Sequence, residues 1–413
     1  MKKKFVGILI TTLLITTALP VIDGISVEKY SNLKQKVNSS WYKTYGGDGT
    51  DAFNGLDITN DGNYIVSGWT EVNSTNDAWL VKIDTSGEII WETIYNHPDG
   101  WDGLGCVKQT SDEGFIATGF LYNSSHENID GLLLKTDSLG NIIWITTYEG
   151  PGYDLFIGVI EMIDGYVVSG CTSSYSSSNQ DILIVKTDFN GDIVWSKTFY
   201  KMEFQEGSYI IDVGDGFLIP ASTWSTSNLY PPDGLLIKLD YNGDVVWYKT
   251  YGNRFSSDVL AEVYKTSDGN YVMVGGTRGG LLGILGSDIW LMKVDANGNK
   301  IWERSFGVPF LTDHSPSVEE TEDFGFIITG HMFGFGNFLV NGAAFYSYWS
   351  KICLIKTDSE GNLEWQRLMP GHGHGRTVRE IDDGYIISGY EGSGHGGDSE
   401  YAILIKTDKN GDI

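Results

Sequence analysis

The segment Ile182-Leu-Ile-Val-Lys-Thr-Asp-Phe-Asn-Gly-Asp-Ile-Val-Trp-Ser-Lys-Thr-Phe199 carries the pattern that decides the fold. Its apolar run ends in Lys-x-Asp-x-x-Gly, and a tryptophan follows four residues after the glycine. Equivalent tryptophans recur at intervals of 50 to 63 residues, and a period near 50 residues is typical of propeller blades. The repeat tryptophans are Trp41, Trp91, Trp144, Trp195, Trp247, Trp302 and Trp365.

Two further markers accompany the tryptophan in each repeat. The first is a turn that leads into a strand, as in Asp164-Gly-Tyr-Val-Val-Ser-Gly170. The second is the lysine before the Asp-x-x-Gly turn, which occurs at Lys82, Lys135, Lys186, Lys238, Lys293, Lys356 and Lys406. Because three independent markers each occur seven times, the sequence predicts seven copies of one structural unit.

Each copy contains four short strands separated by turn residues. In the first complete copy these strands, named A to D, are predicted at 53–59, 64–69, 78–84 and 89–95. The glycines of the turns supply the positive φ that tight hairpins require. Strand C is apolar on both faces, as in Ile182-Leu-Ile-Val185, so it must be covered on both sides. The sequence therefore predicts an all-β, seven-bladed β-propeller of four-stranded antiparallel blades packed face to face.

The two ends of the repeat region complement each other. The seventh copy stops at Ile413, after strand C, whereas Trp41 to Gly46 has the sequence of a strand D with no strand C before it. We therefore predict that the N-terminal strand closes the ring, because pairing the first and last strands removes open sheet edges. The alternative is that the chain is a fragment of a longer array. The predicted organisation is a signal peptide at 1–24, a linker at 25–40 and the propeller at 41–413.

The N-terminus and the charge predict export. Lys2, Lys3 and Lys4 precede an apolar run from Phe5 to Leu19, which is typical of a secretory signal and short for a membrane span. We expect a secreted or cell-surface protein that contacts a membrane only if this signal remains uncleaved. The net charge of −26 disfavours nucleic acid and anionic bilayers as partners, because each contact would begin with repulsion.

The motif Asp-x-x-Gly-x-x-x-Trp resembles the tryptophan-docking repeats of quinoprotein-like propellers. As a whole, 41–413 is similar to propeller-repeat proteins secreted by archaea and bacteria. The resemblance implies that each repeat tryptophan stacks between blades. The cofactor-dependent quinoproteins place an adjacent cysteine pair over the quinone, and this chain has no Cys-Cys, so the resemblance does not extend to a quinone-dependent dehydrogenase.

The loops of variable length are predicted to carry the function. In a propeller, the B-to-C and D-to-A loops emerge on one face, here named the variable face, and such loops on a constant scaffold usually form binding sites. The sixth B-to-C loop, His331 to Ser350, contains several Phe and Tyr residues and Trp349, and has no charge apart from His331. We expect this loop either to stack on a ligand or to form its own small apolar cluster.

Binding is favoured over catalysis. The sequence contains no nucleophile with an adjacent base, no phosphate loop and no zinc spacing. We expect a binding or scaffold module that engages a protein or a glycan at the cell exterior. The alternative is a hydrolase or lyase that acts on polysaccharide with carboxylates of the variable face as general acid and base.

Charged residues recur ten or eleven positions after the repeat tryptophans, where strand A should begin. They are Asp51, Asp102, Asp154, Glu206, Asp258 and Asp313, with Arg376 in the seventh place. Two interpretations are open. Each carboxylate caps its own D-to-A turn, or together they form a site for a calcium ion or a cationic ligand at the channel mouth. No cofactor other than this calcium ion is indicated.

Histidines concentrate in the loops of the seventh repeat. His372, His374 and His395, with Asp398, are candidate ligands for a transition metal. The alternative is that these glycine-rich loops are simply solvated, because a metal site requires fixed geometry.

Overall fold

The computed structural model of the protein describes residues 40–97, 100–124, 127–174, 180–199, 204–207, 209–224, 233–252, 256–278, 287–307, 313–340, 343–392 and 400–413. All described residues belong to one compact unit, Ser39–Ile413. The expected signal peptide and linker therefore lie, apart from Ser40, outside the described residues.

Strands account for all regular structure in the described residues. They form seven antiparallel sheets, named blades 1 to 7, and no helix there is long and apolar enough to cross a membrane. In blade 4, strand A is divided into β14 and β15. The strands are, for blade 1, β2 (Ala52–Ile58), β3 (Tyr64–Val72), β4 (Thr75–Ile83) and β5 (Ile89–Tyr95); for blade 2, β6 (Asp102–Gln109), β7 (Phe115–Asn123), β8 (Asn128–Thr136) and β9 (Ile142–Tyr148); for blade 3, β10 (Asp154–Met162), β11 (Gly165–Thr172), β12 (Asp181–Thr187) and β13 (Ile193–Phe199); for blade 4, β14 (Phe204–Gly207), β15 (Ile211–Asp212), β16 (Phe217–Trp224), β17 (Asp233–Leu239) and β18 (Val245–Tyr251); for blade 5, β19 (Ser257–Lys265), β20 (Tyr271–Arg278), β21 (Asp288–Val294) and β22 (Lys300–Phe306); for blade 6, β23 (Asp313–Glu320), β24 (Phe326–Val340), β25 (Ala343–Thr357) and β26 (Leu363–Leu368); and for blade 7, β27 (Gly373–Ile381), β28 (Gly384–Glu391), β29 (Tyr401–Asp408) and β1 (Trp41–Tyr45).

The first strand of the chain completes the last blade. Strand β1 pairs antiparallel with β29, from Trp41 opposite Lys406 to Tyr45 opposite Ala402, so the order in blade 7 is β27-β28-β29-β1. A parallel bridge between Thr50 and Glu400 adds a second link. The predicted all-β, seven-bladed propeller closed by its N-terminal strand is confirmed.

The hydrophobic core is distributed over the seams between blades. Each of the seven seams contains one cluster of buried apolar side chains drawn from both flanking blades. On strand β12, Leu183 and Val185 enter the cluster shared with blade 2, whereas Ile182 and Ile184 enter the cluster shared with blade 4. This alternation explains why strand C is apolar on both faces: each face is covered by a neighbouring blade.

Each repeat tryptophan packs on the turn glycine of the next blade. The glycine of every C-to-D turn has a positive φ, for example +84° at Gly191, and a Cβ added there would lie 2.7 Å from Trp144 Cε3. Trp144 Nε1 also donates a hydrogen bond to Phe189 O at 3.0 Å. The same contact joins all seven seams, and it includes Trp41 of blade 7 on Gly87 of blade 1. Only glycine satisfies both the backbone angle and the close approach.

The repeat lysines bind the aspartates of the A-to-B turns within their own blades. In blade 3, Lys186 Nζ lies 2.6 Å from Asp164 Oδ1. The lysine side chains are only 3 to 15% exposed, so each buried ammonium is neutralised by a turn carboxylate. The pairs are Lys82–Asp61, Lys135–Asp112, Lys186–Asp164, Lys238–Asp215, Lys293–Asp268, Lys356–Asp323 and Lys406–Asp383.

Candidate functional site

The A strands surround a cavity of about 350 Å³ at the centre of the ring, here named the channel cavity. One position near the end of each A strand is equivalent in register, because it pairs with the second apolar residue of strand B. In blade 1 this position is Asp57, which pairs with Ile65. Going round the ring, these positions are Asp57, Lys108, Ile160, Ile211, Tyr264, Glu319 and Arg379. All except Ile160 line the cavity.

Glu262 lies one layer deeper along the channel. It pairs with Val274, whereas the corresponding register positions in blades 1 and 3 are Gly55 and Gly158. Its side chain is 9% exposed, and its Oε2 accepts a hydrogen bond from Val318 N at 2.7 Å. A backbone donor from blade 6 therefore fixes an acidic side chain of blade 5 in the cavity wall.

The charged wall of the cavity contains groups of both signs. Arg379 lies close to two glutamates: its Nη2 is 3.8 Å from Glu262 Oε1 and its Nε is 3.9 Å from Glu319 Oε2. Both distances exceed that of a direct hydrogen bond. Nearer the solvent, Lys108 Nζ lies 3.2 Å from Asp57 Oδ1, and these side chains are 36% and 21% exposed.

Burial and neighbouring charges together shift the pKa values of Glu319 and Arg379. It raises the pKa of Glu319 to about 7, although the charge of Arg379 opposes the change. Burial alone would lower the pKa of Arg379, but Glu262 and Glu319 outweigh it and raise that pKa. Burial also raises the pKa of the Cys106 thiol, so this cavity residue is a neutral, unreactive thiol rather than a nucleophile.

The opposite wall of the cavity is apolar. Val159 of blade 3 and Ile210 and Ile211 of blade 4 form it. The cavity as a whole lies toward the A-to-B turns, because its lining residues come from the ends of the A strands that lead into those turns. The channel cavity is therefore at the opposite end of the channel from the variable face, on which the binding site was predicted from the sequence.

The charged channel residues were not predicted from the sequence, although the sequence contains a signal for them. Each register-equivalent position precedes the A-to-B turn aspartate by four residues, as Asp57 precedes Asp61 and Arg379 precedes Asp383. The identities at this offset vary from repeat to repeat. A search for recurring residue types therefore passes over them, whereas counting from the turn aspartate finds them all.

The carboxylates expected at the channel mouth are bound within their own blades. Asp51 accepts hydrogen bonds from Gly47 N at 2.9 Å and from the Thr70 hydroxyl, and it is fully buried. Asp154 and Asp258 accept hydroxyl hydrogen bonds from strand B in the same way, from Thr172 and Thr277. Asp51 thus accepts a backbone N–H of its own D-to-A turn, as a capping residue does, whereas the strand B hydrogen bonds of Asp154 and Asp258 come from hydroxyl groups. Capping by every member of the set remains a prediction.

Asp102 differs from the other three. It accepts a hydrogen bond from His97 N at 3.0 Å, but its Oδ1 is buried without a hydrogen-bond partner. Burial, with a smaller contribution from the charge of Asp77, raises the pKa of Asp102 to about 6. Its acidic neighbour is therefore Asp77 of blade 1. None of the four described carboxylates lines the channel cavity.

The remaining members of the expected ring are less completely described. Glu206 lies in β14 opposite Ser222 and Asp313 lies in β23 opposite Met332, and only their backbones are described. Arg376 Cζ lies 5.4 Å from the centroid of the Tyr390 ring. The calcium or cationic-ligand site at the channel mouth remains a prediction.

The histidine candidates separate in the structure. His372 is exposed, whereas the His374 ring stacks on Tyr390 at 4.8 Å and contacts the His331 ring at 4.1 Å between centroids. His395 and Asp398 lie outside the described residues. The part of the chain that the structure describes contains no group of three or more His, Cys, Asp or Glu side chains placed to hold a metal ion. The transition-metal site remains a prediction.

The long sixth B-to-C segment is a β-hairpin rather than an irregular loop. Strands β24 and β25 remain paired from Phe333 opposite Ser350 to Val340 opposite Ala343. In blade 7 the equivalent strands stop pairing at Glu391 opposite Tyr401. Blade 6 therefore adds eight residue pairs, about 27 Å of two-stranded ribbon, to the variable face.

The base of this hairpin is attached to blade 7. Ser350 Oγ donates a hydrogen bond to Gly373 O, and Lys351 Nζ donates one to Gly371 O, each at 2.9 Å. Met332, at the start of the extension, is 2% exposed. The ribbon therefore begins from a packed, hydrogen-bonded position between two blades.

No family model matches the chain, and no curated protein matches it. Solved structures do match. A puromycin hydrolase aligns at 9% identity with a TM-score of 0.47, covering 83% of this chain and 59% of that one. Sqt1 from Chaetomium thermophilum aligns at 10% identity with a TM-score of 0.47, covering 88% of this chain and 97% of that one. The chain thus spans 59% of the length of the hydrolase.

Proposed function

We propose that the protein is an exported binding propeller that engages a protein or a glycan at the cell exterior through its variable face. The observation that carries this proposal is the blade 6 hairpin, which extends β24 and β25 by eight residue pairs beyond the blade. An isolated two-stranded ribbon is marginally stable in water, so contact with a partner would stabilise it. The basic N-terminus followed by the apolar run Phe5 to Leu19 supports export.

The composition of the hairpin fits a binding element. Between Phe333 and Trp349 the sequence holds seven aromatic residues and no charged residue. The rest of the chain is acidic, with a net charge of −26 for the whole. Aromatic residues supply large contact areas and stack on sugar rings or peptide side chains, and uncharged apolar segments on a charged surface mark interaction sites.

Replacing the hairpin tests this proposal. Residues 333–350 are replaced by Asn-Gly, because a two-residue turn can close the strands between Met332 and Lys351. Parent and variant are screened on glycan and extracellular-protein arrays. We expect the parent to bind a partner and the variant to lose at least about tenfold in affinity, with a melting temperature within about 2 °C of the parent.

The blade 1 turn provides the matched control. Asn73 and Ser74 both lie at positive φ between Val72 and Thr75, and the single substitution Ser74→Gly gives this turn the same Asn-Gly sequence while leaving the hairpin of blade 6 intact. This variant should bind as the parent does. A parent that binds nothing on either array, or a hairpin variant that binds equally well, contradicts the proposal.

A second candidate function is polysaccharide cleavage. One observation favours it: the channel cavity brings Glu262 and Glu319 close to Arg379, and burial raises the pKa of Glu319 to about 7, a value that suits a general acid. The test is release of reducing ends or unsaturated products from a polysaccharide panel by the parent and by Glu319→Gln. Product formed by the parent and abolished in the variant supports the enzyme. No product from any polysaccharide rejects it.

A further inference from the structure

We propose that the channel cavity binds a small organic cation, an amine that carries an apolar body. This site is separate from the variable face and independent of the binding function proposed above. Its head group would lie against Glu262 and Glu319, and its body against Ile210 and Ile211 on the other side of the cavity.

The charge of the cavity favours a cation. Its lining contains three carboxylates, Asp57, Glu262 and Glu319, against two cations, Lys108 and Arg379. One negative charge is therefore in excess when all five groups are ionised, that is, at a pH above the pKa of about 7 that burial gives Glu319. Excess charge in a partly desolvated cavity is unfavourable, and a bound ammonium offsets it.

The geometry shows which groups can accept the ammonium. Arg379 stays 3.8 and 3.9 Å from the two glutamates, so it neutralises them without using their oxygens in direct hydrogen bonds. Glu262 uses Oε2 for Val318 N, and Glu319 uses Oε2 for Glu380 N at 3.3 Å. The Oε1 atom of each glutamate can therefore receive a hydrogen bond from a ligand.

An anion fits the same surroundings poorly. Arg379, the more buried of the two cations, has two carboxylates close to it, and Lys108 is already paired with Asp57. An anion that contacts Arg379 would also lie close to Glu262 and Glu319, which would repel it. A bare metal ion is also disfavoured, because calcium requires six to eight oxygen ligands and much of this wall is hydrocarbon.

The size and the walls define the rest of the ligand. A volume of about 350 Å³ lies in the range of small-molecule sites. Val159, Ile210 and Ile211 offer an apolar surface, and Tyr264 stands in the ring between Ile211 and Glu319. An aromatic ring beside carboxylates is a recurring environment for organic ammonium groups. A primary amine with a short aliphatic or aromatic body satisfies both walls.

Calorimetric titration of the full chain with benzylamine, benzyl alcohol and benzoate tests the charge requirement. The three probes have similar bodies and differ in charge. We expect benzylamine to bind at least about tenfold more tightly than either of the others, about 1.4 kcal/mol in free energy. Equal affinities for the three probes, tighter binding of benzoate, or no heat with any of them overturns the proposal. This holds regardless of the results with the substituted proteins described next.

Glu262→Gln tests the position of the site. Glutamine keeps an oxygen that can accept the hydrogen bond from Val318 N, so the fold should be preserved, while the excess charge is removed. We expect Glu262→Gln to lose at least about tenfold in benzylamine affinity. Glu319→Gln replaces it in the test if Glu262→Gln does not fold, and it should lose benzylamine affinity by the same factor. Glu88→Gln, at a side chain that is 74% exposed, is the matched control and should bind as the parent does. Unchanged benzylamine affinity in a folded Glu262→Gln or Glu319→Gln variant overturns the proposal.

Discussion

At the scale of single residues, one ion pair recurs in all seven blades and ties strand C to the A-to-B turn. The lysine is nearly buried in every case, whereas its aspartate is 16 to 61% exposed in blades 1, 2, 3, 5, 6 and 7 and 79% exposed in blade 4. Lys356 also donates to Thr357 O and Glu364 Oε2. Loss of the turn carboxylate would leave a buried ammonium with weaker compensation, which is costly.

The pair in blade 6 predicts a pH-dependent contribution to stability. Burial acts to raise the pKa of Asp323, but hydrogen bonds from Lys356 and Thr321 outweigh it and lower this pKa to about 2. In the unfolded chain the pKa is about 3.9. A depressed carboxylate pKa stabilises the fold above the unfolded value, and this stabilisation is lost as the pH falls from about 4 to about 2.

Asp323→Asn is therefore expected to melt at a lower temperature than the parent at neutral pH, with a difference that shrinks as the pH falls from about 4 to about 2. Melting temperatures of both proteins across this pH range measure the effect. Glu322→Gln, at a side chain that is 80% exposed, is the control. A difference between parent and Asp323→Asn that stays constant with pH would show that the ion pair is not its source.

At the scale of the strand and its turns, the seams between blades repeat three kinds of contact. Apolar side chains of two blades interdigitate, and the repeat tryptophan covers the C-to-D turn glycine of the next blade. In addition, a strand A side chain caps the A-to-B turn of the preceding blade. In the third contact, Glu161 Oε2 accepts from Ser111 N and Glu320 Oε2 accepts from Ser267 N, each at 2.7 Å. In these two seams the later blade thus satisfies a backbone donor of the blade before it.

The tryptophan contact can be separated from backbone strain by two alanine substitutions. Gly243 and Gly269 have φ values of +78° and +80°, so alanine is equally strained at both positions. At Gly243 the new Cβ would lie 2.8 Å from Trp195 Cη2, whereas at Gly269 it meets nothing within 4 Å. We expect Gly243→Ala to destabilise by roughly 1 to 3 kcal/mol more than Gly269→Ala, because it overpacks the seam.

Chemical denaturation of the two variants measures this difference. Combining Gly243→Ala with Trp195→Ala should remove most of the excess, because the alanine methyl would then have room. Equal destabilisation by the two single substitutions would mean that Trp195 does not restrict the turn of the next blade.

At the scale of the whole molecule, the ring is held shut by hydrogen bonds between β1 and β29. Deleting residues 41–46 would leave β29 as an open edge and uncover the seam cluster that contains Phe53 and Trp79 of blade 1 and Leu404 of blade 7. We expect a large fall in melting temperature, on the order of 10 °C or more, because a strand and one side of a seam are lost together.

Moving the deleted strand supplies the control. Residues 41–46 are placed after Ile413 with one spacer residue, which restores the four-residue spacing from Gly411 to the tryptophan. This rearranged chain should recover most of the lost stability. Melting that is unchanged by the deletion would contradict closure by β1.

The sequence predicted the ring far better than the cavity inside it. Blade number, strand order and closure depend on local patterns that repeat every 50 residues, such as the Asp188 to Gly191 turn before Trp195. The channel cavity instead depends on single residues, such as Glu262 and Arg379, that come together only when separate blades meet. Asp51 and Asp154 recur with equal regularity, yet they bind their own strands, because regular spacing does not indicate which way a carboxylate points.

Ring closure also imposes an order on synthesis. Strand β1 leaves the ribosome early, but its partner β29 is made more than 350 residues later. At about 5 to 20 residues per second, β1 waits roughly 20 to 70 s before it can pair. During that time Trp41 and Tyr45 can contact only blade 1, because β29 has not yet been made, and a nascent chain interrupted before Tyr401 cannot complete its last blade. The propeller therefore reaches its final form only after translation has passed β29, so chaperone capture before that point would find an open ring.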